Sequence, residues 1–517
     1  MGFLTADRKQ LELLGFSVDE LVERSSRPRF IVDLVDRLDL KEVYNSYSDQ
    51  GGDALEPSIM LATWFLAYCE GITSSRKIEE LCRRDLHYIY ISAHLRPDHC
   101  GLSRFRQRHA QRLPSIFVQI VRLAQEEGLS KFKRLSIDGS KLEAFGSPRK
   151  SRKKKALQKE LTRLQADIDS YLKDSEQLDA QSPELEKLQE QQAKLEACKE
   201  VLEQRQSELQ PKDRDKHKVN TTEPEARSMV KVNSKPSAPA YNAQLVVDED
   251  TQFIASSGLC DQTNDLEQFK EMHADTEQTL GQQSDRKYTA DSGYHSLEQL
   301  EYVQEAGGDA VIAEPRAFNR QSSSKDKPKF SRGDFIYDES SNQYLCPAGD
   351  TLRYGYSQRK RGRLLFVYQA TQCRDCSLRT RCLTKPDNSE SLRTIFRDSQ
   401  EHLAEQMLSI SQSPEGKQRL EHRAQSVEPA FGNLKHNLGF RRFNLRGMAQ
   451  ARGEFSLMCI AHNIRKWEKL TTPQRYFGPI RRIGMLIKAY GSVILITARS
   501  YRNILIPRQV IHAGLLD

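Results

Sequence analysis

The hydrophobic period of this chain changes twice, and that change limits what it can build. Residues 130 to 138 read as a strand that ends at Asp138-Gly139. From about Arg149 the pattern becomes helical. Leu157, Leu161, Leu164, Ile168 and Tyr171 recur at spacings of 4, 3, 4 and 3, a heptad seam. The segment "DAQSPE" interrupts it, with Ser182 as a cap and Pro183 at the first helical position. The seam resumes at Leu185, Leu188, Leu195, Cys198, Leu202 and Leu209. Two helices of similar length around a short turn predict an antiparallel helical hairpin, over 149–210. After Pro236 the chain reads strand, strand, helix, strand, helix, strand, which predicts a mixed α/β sheet. A helical arm is thus inserted into an α/β core whose halves are 130–148 and 236–316.

Residues 1–125 read as an all-α domain. "PSIMLATWFLAYCEG" is an apolar helix with Pro57 near its start and Gly71 at its end. Thr73 or Ser74 caps the next helix. Ser103 is expected to cap a third, which carries Arg104, Arg106 and Arg108 and places Arg104 and Arg108 on one face. Two readings stand: a DNA-contacting group of helices resembling a helix-turn-helix, or a bundle with a solvated basic face. Further basic groups are Arg441, Arg442 and Arg446, and a tail, 471–517, whose Lys and Arg outnumber its acids. The net charge of +8 is a small excess over many charges of both signs, compatible with nucleic acid as a partner and insufficient to require it.

The N-terminus has charges where a secretory signal would be apolar, and the run Ile483 to Ala498 contains Lys488 and is too short to span a bilayer. The expectation is a cytoplasmic protein without membrane segments. Its 10 cysteines then read as thiols or metal ligands rather than disulfides. Cys346, Cys373, Cys376 and Cys382 lie in the stretch 317–398. They suit either one structural Zn²⁺ or four reduced thiols.

An acid at the tip of a buried strand is costly unless something pairs with it. Asp138 ends one strand and Asp291 another; Glu428 lies beside an apolar stripe on a helix of the segment 399–470 that contains Pro429. Three converging carboxylates repel one another, and divalent ions with a preference for oxygen ligands would neutralise them. Spacing alone leaves three unrelated surface acids as an open alternative.

The motifs "IDGSK", "PAYNAQLVVD", "YTADSGY" and "VEPAFGNLK", with "PSIMLATWFLAYCEGITSSRKIEELCRRD" and "LSRFRQRH", together resemble the DDE transposases of bacterial insertion sequences, in the insertion-sequence-four/five superfamily. The resemblance runs from about 25 to 470. It implies an RNase H-like sheet carrying Asp138 and Asp291, and a helix carrying Glu428. These would be catalytic and would hold Mg²⁺ or Mn²⁺. Lys435, seven residues after Glu428, fits the family's lysine. The family's arginine four residues before the glutamate is missing, Ala424 standing there with Arg423 one step off, and its tyrosine is absent. Implied partners are element-end and target DNA, bound by a homo-oligomer. The implied reaction is strand cleavage followed by strand transfer, with two rivals: an inactive DNA-binding relative, or a nuclease without strand transfer. Tyr294 and His295 either contact DNA near the cut or pack at the sheet edge. The resemblance fades after "AHNIRKWEKL". The tail is either a basic extension or translated read-through.

Overall fold

The computed structural model describes residues 3–4, 17–47, 54–174, 182–207, 214–229, 237–315, 330–360 and 362–471. The basic tail after residue 471 and Leu209 of the seam lie outside them. The chain divides into two compact units, Met1–Ile464 and Arg465–Asp517; in the second, the described residues 465–471 are helical.

Besides two single turns, Val18–Leu21 and Lys41–Tyr44, the N-terminal helices are α1 (Arg27–Val35), α2 (Pro57–Cys69), α3 (Ser75–Arg84), α4 (Leu86–Ile91), α5 (His99–His109) and α6 (Leu113–Glu126). Helix α2 is apolar on every side and is buried over almost its whole length, as such a helix must be. Ser74 caps α3, its side chain accepting from the Lys77 N–H at 3.4 Å. The cap of α5 is Asp98, not Ser103. Its Oδ1 accepts from the Gly101 N–H at 3.1 Å, so the helix starts five residues earlier and Ser103 lies inside it.

The central sheet is built from β1 (Arg134–Glu143), β2 (Ala238–Asp248), β3 (Ile254–Cys260), β4 (Lys287–Ala290) and β5 (Asp309–Ile312). Its order is β5-β4-β1-β2-β3, with the short strand Arg227–Met229 also paired to the outer edge of β2. Strands β1, β4 and β5 are mutually parallel; β2 runs antiparallel to β1, and β3 to β2. Strand β2 is buried from Pro239 to Asp248, as expected of a strand covered on both faces. Strand β1 does not stop at Asp138: it runs on to Glu143, because β2 continues to pair with it as far as Ala240.

The arm consists of α7 (Lys154–Asp174) and α8 (Pro183–Ser207). Leu164 and Ile168 pack on Leu185, while Leu157 packs with Cys198, Leu202 and Val219. The start of one helix thus meets the end of the other, an antiparallel pair closed by the predicted apolar seam. Ser182 accepts from the Glu184 N–H at 3.3 Å. The helices α9 (Gln268–Leu280) and α10 (Leu297–Ala306) lie between strands of the core.

The cysteine-rich stretch forms a second, five-stranded antiparallel sheet: β6 (Ile336–Asp338), β7 (Gln343–Leu345), β8 (Thr351–Lys360), β9 (Arg363–Ala370) and β10 (Thr394–Asp398). Phe335, Tyr344, Leu352, Tyr368 and Ile395 give it a core of its own.

Helix α11 (Glu401–Gln412) leads into α12 (Pro414–Gly432), which packs on β1, β2, β4 and β5. Arg419 anchors α12, donating to the carbonyls of Tyr288 at 2.8 Å and Asp309 at 3.2 Å, and to the Asp309 carboxylate. Pro429 sits inside the helix without breaking it. A proline leaves the carbonyl four residues back without its N–H partner; that carbonyl, of Gln425, accepts from Gln252 Nε2 at 3.2 Å. A π-turn, Asn433–Asn437, follows.

The last helix of the first unit starts at 448 and ties the N-terminal helices to the sheet. Glu454 is fully buried. Its carboxylate accepts from Tyr68 Oη at 2.9 Å and from the N–H groups of Asn444 at 2.8 Å and Leu445 at 2.9 Å. Arg106 donates to Tyr68 Oη at 3.0 Å and to the Thr73 carbonyl at 3.1 Å, and lies 4.5 Å over the Trp64 ring. Further along the same helix, Asn463 brackets Ile254 of β3, accepting from its N–H at 2.8 Å and donating to its carbonyl at 2.9 Å. Removing one member of a buried ionic set leaves the rest uncompensated, at a cost of about 3–5 kcal/mol. Arg106→Met and Glu454→Gln are each expected to destabilise the full chain by about that amount, read as a fall in the urea midpoint. Unchanged midpoints would show the set to be energetically neutral.

Candidate active site

The register of β1 and β4 brings two of the predicted acids together. Ile137 pairs with Ala290, the last residue of β4, so the next residue of each strand is an aspartate, Asp138 and Asp291. Neighbouring strands are about 4.8 Å apart, which makes the two carboxylates close neighbours where the parallel ladder ends. Asp291 caps the short turn Ser292–Tyr294, its Oδ1 accepting from the Gly293 N–H at 2.8 Å. Asp138 Oδ1 accepts from the Gly139 N–H at 2.9 Å and faces Arg423 Nη1 of α12 at 3.6 Å. That nitrogen is buried and has no hydrogen-bond partner. Burial pushes the Asp138 carboxyl up to about 6; Arg423 pulls it back, and the charges of Asp291 and Asp265 push it further up.

Asp265 is the acid that the sequence reading missed. It accepts from Asn242 Nδ2 and from Gln244 Nε2, both at 2.6 Å, and lies 3.8 Å from Lys141 Nζ. Gln244 in turn accepts from the Tyr294 hydroxyl. A Cβ on Gly139 would collide with both Asp265 Oδ1 and Gln244 Nε2, which is why a glycine follows Asp138. The available signal was Asn242 and Gln244 themselves. They are two amides on one face of an otherwise apolar strand, both fully buried, and buried amides require polar partners. Tyr294 is likewise fully buried, so it packs within the sheet rather than facing solvent.

Glu428 is exposed on α12, five residues beyond Arg423, and its carboxylate makes no hydrogen bond or ion pair among the described residues. The structure therefore assembles Asp138 and Asp291 and does not bring Glu428 into contact with them. Lys435, in the π-turn, does reach β1: its Nζ donates to the Lys141 carbonyl at 3.1 Å and to Ser140 Oγ. Arg442 holds the end of β1 through the carbonyls of Ala144 at 3.1 Å and Gly146 at 3.2 Å. Arg446 covers the Phe145 ring at 4.5 Å, and Arg441 donates to the Lys435 carbonyl at 3.2 Å.

Arg104 and Arg108 are exposed on α5, Arg108 lying 5.4 Å over the Tyr47 ring. Arg106 corrects the expectation of a third DNA-facing arginine: it is 7% exposed and committed to Tyr68 and Glu454. Alternation along a helix could not reveal this, because the partner carboxylate is supplied hundreds of residues later. Cys346, Cys373, Cys376 and Cys382 line one small cavity in the second sheet. Among the described residues, no three His, Cys, Asp or Glu side chains are already arranged at metal-holding geometry. Also among the described residues, no helix is long and apolar enough to cross a membrane.

The Asp138 carboxyl has a consequence for stability. Raised in the fold from its ordinary value to about 6, it favours folding below the unfolded-state value, and that contribution is lost as pH rises through 6. A shift of about two units is worth about 3 kcal/mol at most, less for a side chain that is 20% exposed. Asp138→Asn is expected to stabilise the chain by about 2 kcal/mol near pH 8 and to have little effect near pH 4. Urea midpoints at the two pH values check this; a gain of equal size at both would mean that ionisation of Asp138 is not its source.

No curated protein matches the chain. A solved structure titled "Cryo-EM structure of piggyBac transposase synaptic complex with hairpin DNA (SNHP)" is similar at 12% identity and a TM-score of 0.31, over 86% of this chain and 76% of that one. Two family models match: residues 16–108 the Transposase domain (DUF772), and residues 345–467 the Transposase DDE domain. The first covers most of the N-terminal helices; the second covers the cysteine cluster, Arg423, Glu428 and Lys435. The chain thus carries two segments matched by transposase domain models, of the kind typical of bacterial insertion-sequence transposases.

Proposed function

We propose that this chain is a DDE-type transposase that cuts DNA at the ends of an insertion sequence and transfers the freed strand into target DNA. The observation that carries this reading is the pair Asp138 and Asp291 at the end of one parallel ladder, with the Arg423 guanidinium aimed at it. The strand order β5-β4-β1-β2-β3, with only β2 reversed, supports an RNase H-like core. On this reading 1–125 is a DNA-binding or dimerising domain, 149–210 an accessory arm and 317–398 an insertion that precedes the catalytic helix. The protein would act in the cytoplasm as a homo-oligomer on DNA.

Asp138, Asp291 and Glu428 would hold Mg²⁺ or Mn²⁺. The fit rests on electrostatics: a half-buried carboxyl raised by burial and by two neighbouring acids is relieved by a cation, and oxygen donors suit these ions. Bound there, a pair of such ions would activate the attacking hydroxyl and stabilise the leaving oxygen. The chain's own contribution is positioning. Arg423 has a buried N–H without an acceptor that a phosphate oxygen would satisfy. Lys435 holds β1 in place beside the acids. Arg441 and Arg446 extend a basic track along which the DNA backbone would lie. One observation favours the rival reading, a DNA-binding protein without cleavage: Glu428 stands apart from the two aspartates and would have to approach them when DNA binds.

Purified full chain, Mg²⁺ and labelled element ends test the reading. Asp138→Asn, Asp291→Asn and Glu428→Gln are each expected to lower cleavage by about 10²–10³-fold or more while DNA binding persists. Near-parental cleavage by one variant would remove that residue from the site. Cleavage without joining would identify a nuclease, and neither activity a binding protein.

The basic track makes a separate prediction. Arg441→Ala and Arg446→Ala should each reduce the slope of log affinity against log salt by about one unit. Slopes unchanged in both would place the backbone elsewhere.

A further inference from the structure

The four cysteines of the second sheet come from three separate pieces of chain, and the fold gathers them. Cys346 follows β7, Cys373 and Cys376 follow β9, and Cys382 ends a short helical turn, Arg379–Cys382. All four line one cavity of about 30 Å³, room enough for a water or an ion.

The loops are shaped as ligand loops. At Cys346 the chain turns back on itself. The Cys346 N–H donates to the Asp350 carbonyl at 2.8 Å, and the Gly349 N–H donates to the Cys346 carbonyl at 2.9 Å. Gly349 takes a left-handed φ of 86°, which a glycine adopts without strain. The result is that the Asp350 N–H points at Cys346 Sγ at 3.3 Å. At the other loop, the Arg379 N–H donates to the Cys376 carbonyl at 3.1 Å. Two arginines brace the remaining ligand segments through backbone carbonyls, Arg379 to Cys373 at 2.5 Å and Arg393 to Cys382 at 3.0 Å. Both also line the cavity, where their charge offsets the negative charge of a four-thiolate centre. None of the four cysteines is in a disulfide.

We propose that Cys346, Cys373, Cys376 and Cys382 bind one structural Zn²⁺, which fastens the β7–β8 turn to the loop after β9. In a tetrahedral site with Zn–S near 2.3 Å, the sulfurs are about 3.8 Å apart. The four side chains are gathered but not yet at that spacing, and neutral thiols have no reason to adopt it; binding would deprotonate them and close the set. The site is separate from the aspartates and does not depend on the reaction assigned to them.

The reduced full chain is titrated with Co²⁺ in excess Mg²⁺, then with Zn²⁺. One equivalent of Co²⁺ should give the visible spectrum of tetrahedral thiolate ligation, and Zn²⁺ should abolish it. Bound Zn²⁺ should protect four of the 10 thiols from a thiol reagent. Cys376→Ser should lose the spectrum, Cys376→His should keep one equivalent with a shifted spectrum, and Cys100→Ser, at an exposed cysteine, should change nothing. The proposal is overturned by an octahedral spectrum, by four thiols that stay reactive with Zn²⁺ present, or by full binding in Cys373→Ser. Should Cys376→Ser fail to fold, the histidine variant and the thiol count still decide.

Discussion

Two carboxylates at the end of one parallel ladder repel each other, and much of the surrounding architecture keeps them in place despite that repulsion. The register of β1 with β4 sets their separation. Helix α12 supplies the opposing charge, and Arg419 anchors that helix to the carbonyls of Tyr288 and Asp309. Below the pair, Asn242 and Gln244 donate to a third acid, Asp265. Gly139 is small because these side chains occupy the space where its Cβ would be. The chain thus spends stability at one point, which is common where a protein holds reactive groups ready.

The parts read correctly from sequence are those in which local pattern and tertiary environment agree. The heptad leucines of α7 and α8 face each other because most of their apolar surface has only the partner helix to cover it. The strands around Val246 and Ala290 were legible because short runs rich in β-branched and aromatic residues end there at a turn. The parts that escaped depend on distant residues. Arg106 resembles a surface arginine until Tyr68 and Glu454 are placed beside it. Asp265 resembles a loop acid until two buried amides point at it. At α5, Ser103 and Asp98 are both good caps, and the earlier one takes the N–H groups. The second sheet was read only as a cysteine-rich stretch, although β8 and β9 form a ten- and an eight-residue strand pair. Leu352, Tyr354 and Tyr356 do alternate along β8, but Gly355 and the polar run from Ser357 to Lys360 dilute that signal.

The insertions follow one rule. The arm and the second sheet each have their own apolar cluster, and each enters the core at a connection between elements rather than within a strand. Such insertions add loop-closure entropy that grows only slowly with length, so β1 can pair with β2 across about a hundred residues of sequence. The proline in α12 shows the same tolerance at small scale: one side chain, Gln252, takes over the orphaned carbonyl.

The buried contact between Tyr68 and Glu454 joins residues 386 positions apart. During synthesis at 5–20 residues per second, Glu454 is made roughly 20–80 s after Tyr68. Throughout that interval Tyr68 and Arg106 lack the carboxylate that completes their buried set. Contacts of such long range are also slow to form. The folded chain is thus a long loop closed by a buried contact between α2 and the helix that starts at 448. The helix that starts at 448 is pinned twice, by Glu454 to Tyr68 and by Asn463 to β3, so a pull along it loads the N-terminal helices and the sheet together.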